Sequence, residues 1–532
     1  MKTSSSNKLF LSAAVLAVGL LGDIMVQAQP AAGGWTNRYN GPASDSDHAT
    51  AVAVDGSGNV VITGQSSGIG SGSDYATVAY SSAGVPLWTN RYNGPGNTFD
   101  YPSAVAVDGS GNVFVTGYSA TATNGPSDNF DYATIKYSGA GVPLWTNRYN
   151  GPANSDDHAH AGAVDSIGNV IVTGDSLGIG SGADYATIKY SADGLPLWTN
   201  RYNGPGNGDD YAYAVAVDAS DNVFVTGESV GSGSGRDYAT VAYSSAGAPL
   251  WTNRYDGPAH LHDYAIAVVV DGRSNVVVAG YSIGNTSSYD YVTIKYSGAG
   301  APLWTNLYNG PANSADYAAA VAVDGSGNVF VTGDSLGSGS IADYATVAYS
   351  SAGVPLWTNR YNSPVRNDAG ASAVAVDGNG NVFVTGDAPG SGGYDDYATI
   401  KYSGAGVPLW TNRYNGPAND TDYAAAMAVD GSGNVVVTGS SYGTGANYDY
   451  LTIKYSSGGV LPLLAISRTA ANTLSVSWPS PSTGFTLQQN TNGLAAGNWS
   501  DVLDTPADDG TNKTVILNPP AAGNRFYRLL KP

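Results

Sequence analysis

The sequence predicts an all-β protein: a closed ring of eight four-stranded sheets followed by a small β-sandwich. Three observations carry that expectation. A Trp-Thr-Asn-Arg-Tyr pattern, slightly varied, begins at Trp35, Trp88, Trp145, Trp198, Trp251, Trp304, Trp357 and Trp410, at a spacing of 53 residues broken by one interval of 57. Within each repeat, apolar and polar residues alternate with period two between glycine-rich turns, which is the pattern of short strands and not of helices. The chain of 532 residues is rich in Gly (71) and Tyr (37), and only 12% of it is Asp, Glu, Lys or Arg. That is about half the usual charged share and excludes a charged helical or disordered chain.

The elements follow in order. Lys2 and Lys8 precede an apolar run from Leu9 to Leu21, and Val26-Gln27-Ala28 then offers a small-x-small cleavage pattern. Residues 1–28 therefore read as a secretory signal peptide. The apolar run is shorter than the ~20 residues needed to cross a bilayer, and no second candidate follows. The expectation is a protein that is secreted or held at the cell surface, with no membrane span in the mature chain.

Residues 29–460 carry the repeats. In the sixth, strand a reads as Ala319 to Val323, strand b as Asn328 to Thr332, strand c as Tyr344 to Tyr349 and strand d as Leu356 to Tyr361. Asp324-Gly325-Ser326-Gly327-Asn328 supplies the a-to-b turn, and Ser351-Ala352-Gly353-Val354-Pro355 the c-to-d turn. Turns this tight join antiparallel neighbours, and their glycines accept positive φ. The longer interval falls in the second unit, near Ala120 to Asn129. A single four-stranded sheet cannot bury both faces, so eight of them stack radially into an eight-bladed β-propeller. Trp and Tyr of strand d, with Val, Ile and Ala of strands a to c, supply the apolar surface between blades. The first unit opens at strand d, Trp35 to Asn40, while the last carries strands a to c between Tyr423 and Tyr455. The N-terminal strand is thus expected to complete the final blade and leave no open edge. Pro462 to Ile466 imitates strand d and competes for that place.

Ala322-Val323-Asp324-Gly325-Ser326-Gly327-Asn328-Val329, Val331-Thr332-Gly333, Asp343-Tyr344 and Trp357 together resemble the SBBP β-propeller repeat of secreted bacterial proteins, over residues 35–460. The resemblance implies a propeller in an extracytoplasmic setting and brings no catalytic set with it. The family's name suggests seven blades, whereas eight copies here argue for eight.

From Leu464 the period ends. Strand-like runs at Leu474 to Trp478, Phe485 to Gln489, Trp499 to Leu503, Lys513 to Leu517 and Arg525 to Leu530 predict a β-sandwich over 461–532. The run Gly523-Asn524-Arg525-Phe526-Tyr527-Arg528-Leu529 resembles the fibronectin-like modules that end many secreted proteins of environmental bacteria. That resemblance implies attachment or sorting.

Charge narrows the partners. Forty-two acidic and 22 basic residues leave a net charge of −20, which repels nucleic acid. Without cysteine there is no disulfide, thiolate metal site or catalytic thiol. Asp55, Asp108, Asp165, Asp218, Asp271, Asp324, Asp377 and Asp430 each precede an a-to-b turn with Asn four positions later. One carboxylate and one amide fall short of the six to eight oxygens calcium takes, so these read as turn stabilisers, with calcium as the competing reading and no other cofactor expected.

A second ring precedes strand a: Asp47, Asp100, Asp157, Asp210, Asp263, Asp316, Asp368 and Asp422. The d-to-a and b-to-c loops share one face of the ring, which also receives Asp175, Glu228, Asp334 and Asp387. With His48 and His158, the second ring forms the candidate ligand face. The plainer reading has its carboxylates bonding strand ends and neighbouring blades, through arginines such as Arg360. His48, His158, His160, His260 and His262 share the face but come from separated units, so convergence on one metal ion is not expected.

Gly353 to Trp357 has the spacing of the docking motif of eight-bladed quinoprotein dehydrogenases. The adjacent cysteines and large insertions of that family are missing. Near-identical units spread the same groups around a circle, which suits multivalent binding better than convergence on one reacting atom. The functional expectation is a monomeric, non-enzymatic scaffold that binds or adheres to an extracellular glycan or protein. A quinoprotein-like oxidoreductase and a spacer without a specific ligand are the alternatives.

Overall fold

The computed structural model describes residues 34–121, 129–284, 288–337, 341–363, 368–390, 392–445, 447–457, 464–469, 473–479, 485–490, 499–508, 512–517 and 526–530. The expected signal segment and most of the four-residue excess of the second unit lie outside the described residues. Every regular element among the described residues is a β-strand, and no helix is long and apolar enough to cross a membrane. The chain divides into two compact units, with the break between Ser457 and Gly458.

The first unit holds eight four-stranded antiparallel sheets. Sheets 1 to 7 are consecutive meanders beginning at Asp47, Asp100, Asp157, Asp210, Asp263, Asp316 and Gly370. Sheet 8 joins Asp422–Val429, Val435–Tyr442 and Tyr448–Tyr455 to the N-terminal strand Trp35–Tyr39. The strand a of each sheet touches that of the next, and strand a of sheet 8 touches that of sheet 1, so the ring closes. This is the eight-bladed propeller. Closure runs through Trp35 opposite Lys454 and Tyr39 opposite Tyr450. Arg38 holds it laterally, with Nη2 2.9 Å from Asp449 Oδ2 and 2.7 Å from the carbonyl of Ser441.

In sheet 6 the strands are Asp316–Val323, Val329–Leu336, Ala342–Tyr349 and Pro355–Tyr361. Strands a and b thus run further than the sequence pattern marks. Gly333 looks like a strand end but sits inside strand b, opposite Ala318, where the partner strand bulges between Ala318 and Ala320. A Cβ there would overlap the carbonyl of Tyr317, so the glycine admits the bulge and does not end the strand.

Blades interlock through strand d. Trp304 of sheet 5 lies on the c-to-d turn of sheet 6, with Nε1 donating to the carbonyl of Ser351 (3.2 Å) and Asn306 Nδ2 to that of Gly353 (2.8 Å). Gly353 has φ +82°, and a Cβ on it would come within 2.6 Å of Trp304 Cγ. The glycine therefore serves the tryptophan of the preceding blade, which accounts for the Gly-x-x-x-Trp spacing by packing alone. Each apolar core lies between two sheets. Phe330 and Tyr344 of sheet 6, for instance, pack with Val382, Val384, Ala398 and Ile400 of sheet 7. The buried Tyr344 hydroxyl donates across that seam to the carbonyl of Ala398 (3.3 Å).

The C-terminal unit has two sheets. One orders Ala465–Arg468, Leu474–Pro479, Asn512–Leu517 and Ala507–Asp508; the other orders Ser500–Asp501, Thr486–Asn490 and Phe526–Leu530. Val476, Trp478, Val515 and Leu517 of the first share a core with Leu487 and Tyr527 of the second. Ala465 and Ile466 belong to this sandwich and do not compete for blade 8.

Candidate functional site

The aspartates that open strand a are turned away from solvent. Asp47, Asp100, Asp157, Asp210, Asp263, Asp316 and Asp422 are buried. Each turns inward to the loop that precedes it. Asp316 Oδ2 accepts the amide of Gly310 at 2.6 Å, and a Cβ on that glycine would lie 2.6 Å from Asp316 Oδ1. Burial pushes these carboxyls up, while the glycine amide and a strand b serine hydroxyl pull them back; Asp422 still reaches about 6. The arginine of strand d stands beside them. Arg360 Nη2 reaches Asp343 Oδ2 (2.8 Å) and the carbonyl of Ser335 (2.7 Å), and Nη1 reaches Tyr308 Oη (3.1 Å) of the preceding blade. These carboxylates order strand ends and blade seams.

Unit 7 corrects the ring's register. Asp368 is exposed and precedes the strand, and Ala369 occupies the buried place. Two further changes accompany it: Ser363 stands where the other units have glycine, and Ala388 where they have serine. With the carboxylate and the serine hydroxyl gone, a Cβ fits, and Ser363 Oγ donates to the carbonyl of Pro389 at 2.6 Å.

The turn aspartates are bonded within their own turns. Asp324 Oδ1 accepts the amides of Ser326 and Asn328, and Oδ2 accepts Asn328 Nδ2, each at 2.8 Å. Where strand c carries lysine, it adds an ion pair, as in Lys295–Asp271 at 2.8 Å.

Chemical variety among the units concentrates at the mouth of the ring. The strand a residue that follows this buried place is His48, Tyr101, His158, Tyr211, Tyr264, Tyr317, Gly370 or Tyr423. Its cross-strand partner on strand b is equally varied, and includes Asp175 opposite His158, Asp334 opposite Tyr317 and Asp387 opposite Gly370. The bulged residue two positions on differs too, from His160 to Ile266 to Ser372.

These side chains form distinct neighbourhoods. His48 Nδ1 lies 2.9 Å from Ser440 Oγ, with its ring 5.1 Å from that of Tyr448. His158 packs edge-on against Tyr118 at 4.7 Å. His158 and His160 both meet Asp175, at 3.2 and 2.6 Å. Burial pushes Asp175 up, but hydrogen bonds from the two histidines outweigh it and hold the carboxyl low. His260 pairs instead with Asp256 in a d-to-a loop (2.7 Å), and the ring of His262 lies 6.2 Å from that of Tyr264. Arg236 pairs with Glu228 and lies over the ring of Tyr211.

Between sheets 5 and 7 the mouth opens into a pocket of about 480 Å³, lined by Tyr281, Tyr317, Asp334, Gly370, Ser372 and Asp387. It exists because Gly370 leaves empty the place that a histidine or tyrosine fills in the other units. The Tyr281 and Tyr317 rings stand at right angles, 5.1 Å apart. Burial, with Asp395 and Asp334 nearby, pushes Asp387 up to about 7; burial, with Asp368 nearby, pushes Asp334 to about 6. Sequence reasoning placed both carboxylates on this face but missed the pocket, whose signal is the lone glycine in the histidine and tyrosine column.

Comparison with known proteins agrees with the repeat. Residues 87–122 match the family model of the SBBP beta-propeller repeat. That stretch covers strand d of one blade and strands a and b of the next. No curated protein matches the chain. Among solved structures it is similar to a puromycin hydrolase mutant complexed with PGG, at 11% identity and a TM-score of 0.42, over 85% of this chain and 62% of that one. A eukaryotic initiation factor aligns at 7% identity and a TM-score of 0.38, over 90% of each chain. A glucose dehydrogenase aligns at 12% identity and 0.31, over 53% of this chain and 94% of that one.

Proposed function

We propose that this propeller is a non-enzymatic binding scaffold acting outside the cytoplasm, and that its mouth face takes a glycan. The supporting observation is where the units differ. Their seams repeat nearly the same side chains, while tyrosine, histidine, carboxylate and small residues alternate around the mouth. Aromatic faces stack on sugar rings and carboxylates accept hydroxyl hydrogen bonds, so the set suits a polyhydroxylated ligand better than an apolar one. Contacts from several blades add through avidity. The C-terminal sandwich, with its fibronectin-like run, serves as the attachment or sorting module, and the N-terminal segment directs export. The test is glycan-array binding by the mature chain beside its Y281A/Y317A variant. Loss of binding in the variant is expected, and binding equal to wild type overturns the assignment of the face.

A second reading draws on the pocket itself. Asp334 and Asp387 line it together, and paired carboxyls serve as acid and base in hydrolysis. Release of reducing ends from a polysaccharide, abolished in D387N, would favour it over simple binding.

A further inference from the structure

Four units place an acid at the strand b position that faces the mouth: Asp175, Glu228, Asp334 and Asp387. In sheets 3 and 4 the fold supplies a basic partner as well. Asp175 meets His158 and His160, and Glu228 meets Arg236. These partners come from three places: the strand a residue opposite the acid, the bulged residue two positions on, and the first residue of strand c. In sheet 6 the same places hold Tyr317, Ala319 and Ala342, and in sheet 7 they hold Gly370, Ser372 and Asp395. None of these is basic, and among the described residues no Lys, Arg or His pairs with Asp334 or Asp387.

A cavity stands where the basic partner would be. Its volume of about 480 Å³ is of the size that holds small ligands. Asp334 and Asp387, both half-buried, form one part of its lining, and the part opposite in character is aromatic. Tyr281 and Tyr317 line the cavity, and Tyr264 and Tyr289 pack behind them. Ring centres lie 5.2 Å apart for Tyr264 and Tyr281, 5.3 Å for Tyr281 and Tyr289, and 5.4 Å for Tyr289 and Tyr317. Tyr317 is 40% exposed, which leaves ring surface for a ligand.

Both parts of the lining ask for the same charge. Tyrosine faces attract cations through the ring quadrupole, and carboxylates in a cleft focus a negative field that no side chain here neutralises. An apolar group would use only the tyrosines. A bare metal ion would use only the carboxylates, and two of them fall short of the oxygens a hard cation takes. An organic ammonium uses both. We infer that the pocket takes the protonated amine of a sugar, so that the glycan bound at the mouth is an amino-sugar polymer with free, unacetylated amines. This rests on the mouth being a glycan site and adds the charge of its ligand. The ammonium donates charge-assisted hydrogen bonds to Asp334 and Asp387 while the sugar ring lies against Tyr281 and Tyr317. Acetylation of the amine removes the charge and with it the preference.

The test is calorimetric titration of the mature chain with three β-1,4-linked hexamers that differ only at C2: glucosamine, N-acetylglucosamine and glucose. The glucosamine hexamer should bind tighter than the other two by about 30-fold or more. A chain of net charge −20 attracts any polycation, so variants separate the pocket from general attraction. D334N/D387N removes only two of the acids and should bring the three ligands within about threefold of one another. G370Y restores the tyrosine that five other units carry at this place and should abolish the preference by filling the cavity. Equal affinity of the wild type for all three hexamers overturns the inference and leaves the glycan reading standing. A glucosamine preference undiminished in D334N/D387N overturns the assignment to the pocket. Binding of none of the three overturns the inference too, and the glycan array then decides separately whether the mouth binds glycans at all.

Discussion

Replacing Asp387 with asparagine tests the electrostatics of the mouth directly. Burial, Asp395 and Asp334 push this carboxyl from an ordinary 3.8 to about 7. A carboxyl whose pKa rises on folding holds its proton more tightly in the folded state. Its stabilising contribution is complete below the unfolded value and is lost as pH rises through the folded one. A rise of that size corresponds to ~4 kcal/mol, at ~1.4 kcal/mol for each tenfold change in proton affinity. Because Asp387 lines an open pocket, water reduces that to ~1–2 kcal/mol. The wild type should therefore lose stability between pH 4 and pH 7, and D387N, which cannot titrate, should lose ~1–2 kcal/mol less. Urea-unfolding midpoints read by tryptophan fluorescence at pH 4, 5, 6 and 7 measure this. The mutant curve should remain sloped, because Asp290, Asp334 and Asp422 each stand near 6 and titrate in the same direction. Parallel wild-type and D387N profiles would refute the reasoning.

Other substitutions probe the scaffold. G353A forces a side chain into positive φ against the Trp304 indole and should cost ~2–4 kcal/mol, read as a lowered urea midpoint. A369D alone buries a carboxylate against Ser363 and should cost ~3 kcal/mol, whereas the triple variant S363G/A369D/A388S rebuilds the arrangement of the other units and should fall within ~1 kcal/mol of wild type; a denaturation cycle compares them. R38M leaves Asp449 unpaired at the closing strand and should cost ~2–3 kcal/mol, with faster proteolysis near the N-terminal strand as the second readout.

Much of the fold was legible because the same text is written eight times. The tryptophan spacing fixed the number of blades, and the unit order showed that Trp35–Tyr39 completes the last. Strand limits were less legible. A glycine such as Gly333 carries the same letter whether it ends a strand or admits a bulge, and only the cross-strand contact decides between them. The aspartate ring admits two readings in the sequence for a related reason. Spacing put Asp316 at the loop face, but its orientation depends on the amide of Gly310 six residues earlier. Asp368 was counted into that ring because it lies one residue from the true position, and the linked change of Ser363, Ala369 and Ala388 becomes meaningful only once those three side chains are seen to touch. The pocket went unnoticed because its defining residue, Gly370, contributes an absence.

The way the ring closes also sets the order in which it can be built. Arg38 and Asp449 are separated by 411 positions, and bringing such distant points together costs on the order of 5 kcal/mol of chain entropy. The earliest strand to emerge must stay single until the latest arrives. A chain that stops before Tyr448–Tyr455 leaves Trp35–Tyr39 without its partner and the circle of blades unsealed.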